Sequence, residues 1–296
     1  MATLKIALFV AGSKGADFLR NFSSKEVVTL VASYKNKGLR HDAHAEIETI
    51  CRTNGYRLVE RKAVRPADYE SVDLVLLAGW QWLTDEIDQR FVVFHDSLLP
   101  KLRGFNPTVT ALIAGTTEIG VTAFSPIAGD ASIPDSGPIF GQERIPVRYP
   151  VTVRVAYEQL GFAYGRLAER VVQAASAGPL TFTPQNAKDA TYSLWRDEND
   201  YRIDWTATAE QIRRFVDAVG WPYMGAKSTL AGREIRIDCV EVCRDMPFAN
   251  RSPGKIWSLG GGVPEVVCGA GMLRIQEARE SDGSPAKFTS LRARFA

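Results

Sequence analysis

The stretch Lys5-Ile6-Ala7-Leu8-Phe9-Val10-Ala11-Gly12-Ser13-Lys14-Gly15 decides how the first half of this chain folds. Its apolar run from Ile6 to Ala11 is short for a helix and suits a strand buried on both faces. The run meets a glycine turn at Gly12–Gly15, and a helical pattern follows from Ala16 to Asn21. An apolar N-terminal run resembles the core of a leader peptide. This one is too short and leads straight into glycine, so we read it as a buried first strand.

Working outward, the same alternation repeats. Val27 to Ser33 is rich in β-branched residues and predicts a second strand, and residues 42–54 carry Ala43, Ile47 and Ile50 at helical spacing. Tyr56–Val59 and the apolar run Val72–Ala78 predict two more strands. Pro107 to Gly115 reads as a helix ended by glycine, and Gly120 to Phe124 as a strand. A long helix is expected from Val151 to Ala177, stopped by Gly178-Pro179. Strands alternating with helices predict a doubly wound α/β sheet.

Beyond Gly178 the texture changes. Residues 181–205 are polar and irregular and read as a linker, and Thr208 to Val219 is a helix with Thr206 or Thr208 as its cap. Five short runs follow: Lys227–Leu230, Glu234–Val242, Gly254–Ser258, Val263–Cys268 and Met272–Glu277. Turn residues separate them, which predicts a small β-barrel or sandwich. The expected organisation is an α/β domain over 1–180, a linker over 181–205 and a small β-barrel domain over 206–296.

A formal net charge of +2 gives no reason to expect a polyanion or a membrane surface as partner. No run approaches the roughly 18 apolar residues of a membrane span. Cys239 and Cys243 are not followed by histidine or cysteine at zinc-site spacing, so no metal is expected, and all four cysteines read as reduced. The compartment implied is cytoplasmic.

Two segments carry candidate chemistry. Gly12-Ser13-Lys14-Gly15 stands where a strand hands over to a helix, so its backbone N–H groups are placed to cradle a phosphate. It matches neither the dinucleotide nor the Walker pattern and is equally well a plain tight turn. The second segment is Phe94-His95-Asp96-Ser97-Leu98-Leu99-Pro100-Lys101-Leu102-Arg103-Gly104. His95 closes an apolar strand, and open α/β sheets bind ligands at the carboxyl ends of their strands.

This second segment resembles the 10-formyltetrahydrofolate-dependent formyltransferases, whose signature is NxHxSLLP followed by a basic residue and RG. Further matches are Trp80-Gln81-Trp82-Leu83, Ala111–Gly115 with Gly120-Val121-Thr122, Asp135-Ser136-Gly137-Pro138-Ile139, and Arg202-Ile203-Asp204-Trp205. Nearly the whole chain is covered. The resemblance implies a Rossmann-like formyltransferase domain followed by a small OB-like barrel, with 10-formyltetrahydrofolate as formyl donor. It implies that His95 polarises the formyl carbonyl and shuttles a proton, while Asp135 orients or charges His95. Trp80, Gln81, Trp82, Leu83 and Ile133 would surround the donor. Ser13, Lys14, Gly15 and Arg103 would hold the acceptor.

The chain departs from the pattern in three places. Val93 stands where the family has a catalytic asparagine. Either Asn106 or Gln81 supplies the missing amide, or the chain is a slow enzyme or a non-catalytic folate- or nucleotide-binding relative. Asp96 replaces a proline, and the loop that includes Ile127–Pro134 is longer than usual. The acceptor implied is a small-molecule amine. From Thr206 to Ala296, 13 Lys and Arg face 10 Asp and Glu, with opposite charges interleaved. A tRNA-binding surface is normally more basic. An amino-sugar nucleotide is therefore expected ahead of methionyl-tRNA, with no membrane partner, and a homodimer is compatible with the sequence.

Overall fold

A computed structural model describes residues 4–82, 87–127 and 133–296. Two compact units are present. One comprises Met1–Thr108, Thr117–Val147 and Val155–Trp195, and the other Val109–Thr116, Arg148–Arg154 and Arg196–Ala296.

In the first unit, β1 (Ile6–Val10), β2 (Val28–Ser33), β3 (Leu58–Glu60), β4 (Leu74–Ala78) and β5 (Phe91–His95) run parallel. Helices α1 (Gly12–Asn21) and α2 (His44–Asn54) connect the first three. After a short β6 (Arg103–Gly104) and α3 (Pro107–Ala114) come β7 (Glu118–Phe124) and β8 (Ile139–Pro146), both antiparallel to their neighbours. The sheet order is β3-β2-β1-β4-β5-β7-β8. The sheet is thus parallel over five strands and antiparallel over the last two. Strand β8 went unrecognised in the sequence because Ile139–Pro146 is half-exposed and polar at its centre, with no apolar run.

Every residue of β1 and β4 is buried, as a sheet covered on both faces requires. One face holds Ala7, Phe9, Leu30, Val75, Leu77 and Phe91. On the other, Phe18 of α1 packs edge-on against Phe94 and against Tyr164 of α4 (Val153–Ala177). Each large buried aromatic contributes on the order of 2 kcal/mol through the area it removes from water.

The helical phase after β1 begins earlier than Ala16. Gly12 to Gly15 forms the first turn of α1, and the Gly15 amide donates to Ala11 O at 3.0 Å. A Cβ on Gly15 would lie 2.9 Å from the Val10 carbonyl carbon, so glycine lets the helix press onto the strand it leaves.

Residues 181–205, expected to be a linker, divide between the units, and much of the stretch is structured. β9 (Tyr192–Ser193) pairs parallel with β6, and Glu198–Tyr201 forms a 3-10 turn capped by Asp197. In the second unit, α5 (Ala209–Val219) starts at a capping box of Thr208 and Gln211. Five antiparallel strands follow: β10 (Ala226–Leu230), β11 (Arg233–Cys243), β12 (Ile256–Gly260), β13 (Val263–Val267) and β14 (Met272–Glu280). Their order is β10-β11-β14-β13-β12. The C-terminal residues tie the two edges together: Phe295 bridges Leu230, the last residue of β10, and Arg294 bridges Lys255 just before β12. Satisfying both edges with one segment removes exposed ladder groups. No helix among the described residues is long and apolar enough to cross a membrane.

Candidate active site

His95 is the last residue of β5, one position beyond the β4 residue paired with Phe94, which sets it at the carboxyl edge of the parallel strands. Across the sheet it pairs with Thr122 of β7, which is fully buried. The Thr122 hydroxyl donates to Ser97 O at 2.6 Å and accepts from the Leu99 amide at 3.1 Å. Gln142 of β8 donates to Leu99 O at 2.7 Å and to the Thr122 hydroxyl at 2.9 Å. Two antiparallel strands absent from a purely parallel sheet therefore hold the turn after His95. The turn contains a cis Leu99–Pro100 bond and ends at Leu102, whose φ is 57°.

The Leu102 carbonyl lies 2.9 Å from His95 Nε2. A carbonyl can only accept, so Nε2 carries a proton and Nδ1 is the nitrogen left to gain or lose one. Nδ1 faces Asp135 Oδ2 at 3.5 Å. The same oxygen accepts the Gly104 amide at 2.8 Å, joining the Arg103-Gly104 pair to the Asp135 turn. Asp135 has φ of 52°, and a Cβ on Gly137 would fall 1.8 Å from Ser125 O, so this turn is pressed against the end of β7. The expected pair of His95 and Asp135 is thus brought together.

Asn106 is half-buried, has φ of 48° and directly precedes α3. Its side chain makes no hydrogen bond among the described residues, leaving its amide available. Val93, two residues before His95 on β5, packs with the apolar cluster that Trp80 also joins. Gln81 and Trp82 are exposed, and Leu83 lies outside the described residues. Trp80 packs on Phe9 and Tyr34, at centroid distances of 5.1 and 5.2 Å, with its indole N–H buried and unpartnered. The Arg61 guanidinium lies 4.2 Å over the Trp82 ring. Ile133 is exposed at the re-entry of the long loop, whose residues 128–132 lie outside those described.

Two residues expected to bind an anion are otherwise engaged. Lys14 pairs with buried Asp96 at 2.9 Å, and Asp96 also accepts from the Thr108 hydroxyl at 2.6 Å. Burial would raise the Asp96 carboxyl, but the Lys14 ammonium, then His95 and the Thr108 hydroxyl, hold it down to about 2. Arg103 is buried, and both contacts of its guanidinium go to Gln185 Oε1, at 3.0 and 2.7 Å. Of the glycine turn, the amides of Gly12, Ser13 and Lys14 are in the first helical turn, where no intrahelical acceptor exists. The Ser13 hydroxyl is buried without a partner. Sequence reasoning missed Gln185, Thr122, Gln142 and Thr108. Each is an ordinary polar residue whose role exists only through distant partners.

Among the described residues, one group has metal-ligand composition: His44, Glu48 and Glu60. His44 Nδ1 lies 3.6 Å from Glu48 and Nε2 2.8 Å from Glu60, neither in hydrogen-bonding geometry. That arrangement is a histidine between two acids, on α2 and β3 rather than at His95.

Comparison with known proteins identifies the family. Residues 3–171 match the family model described as "Formyl transferase", and residues 196–295 match "Formyl transferase, C-terminal domain". The chain is 29% identical over 238 residues to methionyl-tRNA formyltransferase of Ralstonia pickettii, covering 78% of this chain and 71% of that protein. It is 31% identical over 217 residues to the methionyl-tRNA formyltransferase of Acidovorax ebreus, covering 71% and 66%. In fold it resembles the N-formyltransferase of Helicobacter canadensis in complex with folinic acid and dTDP-3-aminofucose. The TM-score there is 0.62 at 14% identity, over 92% of this chain and 99% of that one. It also resembles HypX of Aquifex aeolicus with tetrahydrofolic acid, with a TM-score of 0.62 at 17% identity, over 98% of this chain and 47% of that one. A match spanning most of both units, over a histidine and an aspartate already set face to face, leaves one conclusion: the chain belongs to the formyl transferase family.

Proposed function

We propose that this formyltransferase moves the formyl group of 10-formyltetrahydrofolate to the amine of a nucleotide-linked amino sugar. The residues that the resemblance assigns to the donor suit a reduced folate. Trp82 offers an exposed aromatic face, Trp80 a buried N–H with no protein acceptor, and Ile133 an exposed apolar edge. His95 Nδ1 takes the proton that the attacking amine must lose, and Asp135, 3.5 Å away, stabilises the imidazolium that results. The oxygen of the formyl carbonyl gains negative charge as the amine adds. With Val93 unable to donate, Asn106 supplies a side-chain amide and Gln81 is the alternative donor. The backbone amides of Gly12 and Ser13, at the start of α1, suit the acceptor's diphosphate.

The choice of acceptor rests on charge pairing in the C-terminal unit. Arg236 pairs with Glu198 and Glu234, Arg279 with Asp238, Arg274 with Glu265, and Arg251 with Asp245. Arginines neutralised in this way attract a phosphate backbone weakly. A second reading, methionyl-tRNA as acceptor, is favoured by the names of the sequence relatives. Formyl transfer from 10-formyltetrahydrofolate to dTDP-linked amino sugars and to initiator methionyl-tRNA, measured side by side, tests both. Transfer to the sugar nucleotide with weak, salt-insensitive tRNA binding is expected. Transfer to the tRNA, with affinity falling steeply as salt rises, overturns the sugar-nucleotide reading.

A further inference from the structure

Gln185 lies in the polar stretch that separates α4 from β9 and joins two parts of the active site through four hydrogen bonds. Its amide nitrogen donates to Asp135 O at 2.8 Å and to Gly137 O at 2.6 Å. Its carbonyl oxygen accepts both contacts from the buried Arg103 guanidinium. No carboxylate pairs with Arg103 among the described residues, so Gln185 is the group on which that buried charge acts. A cation at the amide oxygen draws electron density from the nitrogen and strengthens both N–H donors. Those donors hold the two carbonyls that flank Ser136, in a turn where Asp135 has a left-handed φ of 52°. A non-glycine residue keeps such a conformation only when its surroundings over-determine it.

We propose that Gln185 is a positioning residue for formyl transfer: backed by Arg103, it locks the 135–137 turn and so sets the distance between Asp135 and His95. Arg103, adjacent to the Gly104 amide that binds the Asp135 carboxylate, thereby acts behind the site and does not bind the acceptor. This inference rests on the reading of Asp135 as partner of His95.

Gln185→Glu separates positioning from folding. A carboxylate keeps, and strengthens, the acceptor for Arg103, but it presents oxygen to the two carbonyls and cannot hold them. The expected result is a folded protein with a cooperative melting transition and an unaltered circular dichroism spectrum. With it, kcat should fall by about 10²-fold, the cost typical of an ångström-scale misplacement, and KM for the folate should change little. Combining Gln185→Glu with Asp135→Asn should lower kcat no further than Asp135→Asn alone, because the two changes act on one interaction. Unaltered kcat in Gln185→Glu, or full additivity in the double variant, overturns the proposal. If Asp135→Asn itself retains normal turnover, the reading of Asp135 has failed instead. A crystal structure of Gln185→Glu needs no acceptor. We expect Asp135 Oδ2 to move beyond the present 3.5 Å from His95 Nδ1, and an unchanged separation also overturns the proposal.

Discussion

The turn that leaves β5 and the turn that leads into β8 each bring an aspartate to His95, Asp96 by chain adjacency and Asp135 by folding. Asp96 is buried, ion-paired with Lys14 and hydrogen-bonded to Thr108. Its carboxyl has been committed to holding the first turn of α1 against the start of α3. Asp135 keeps about a fifth of its side chain exposed, spends one oxygen on the Gly104 amide and faces His95 Nδ1 at 3.5 Å. The comparison teaches that pairing, more than distance, separates structural from chemical carboxylates. An acid with both oxygens already paired responds little when charge appears nearby, whereas one held loosely against a histidine can.

The largest expected effect lies with the histidine that both turns serve. His95→Ala should lower kcat by about 10³-fold, within the span of general acid–base contributions, with the circular dichroism spectrum and melting temperature retained. Asp135→Asn should come next, at about 10²-fold in kcat, because the neutral amide cannot stabilise the imidazolium. Steady-state kinetics on both variants would break the comparison if either kept normal turnover.

Asp96→Asn should do the reverse. It removes the carboxylate that pairs with the Lys14 ammonium and should cost about 3 kcal/mol of stability, with turnover per folded molecule close to normal. Urea titration and active-fraction kinetics read the two quantities separately. The pH dependence has a fixed sign. The folded carboxyl is depressed to about 2, below its unfolded value near 4, so its contribution is complete above pH 4 and is lost as pH falls toward 2. The stability gap between Asp96→Asn and the unaltered protein should therefore narrow on acidification across that window. Thr108→Val should be the mildest, about 1 kcal/mol, since it removes one hydroxyl from a carboxylate that keeps Lys14.

The legible parts of the fold share one property. β1, β4 and the strands of the C-terminal unit announce themselves by apolar runs or alternation, and α5 by Thr208 and Gln211 at capping spacing. β8 does not, because its polar centre serves the network beneath the His95 turn through Gln142. Residues 181–205 read as linker for a related reason: the order of 181–195 comes from Arg103, Leu102 and β6, not from any local pattern.

The sequence by itself determined that a strand, a glycine turn and a helix would open an α/β unit and that a five-stranded antiparallel unit would follow, and its resemblance to a family set His95 and Asp135 in one expected site. Periodicity and short motifs are local, and local chemistry is what a linear chain displays. Only the tertiary structure decided which charges remained free. Lys14 and Arg103 have the composition of anion ligands, yet Asp96 and Gln185, each more than 80 positions away in the chain, engage them both. Whether a cation meets a ligand or a partner within the protein depends on contacts between distant segments, and these exist only once the sheet has assembled.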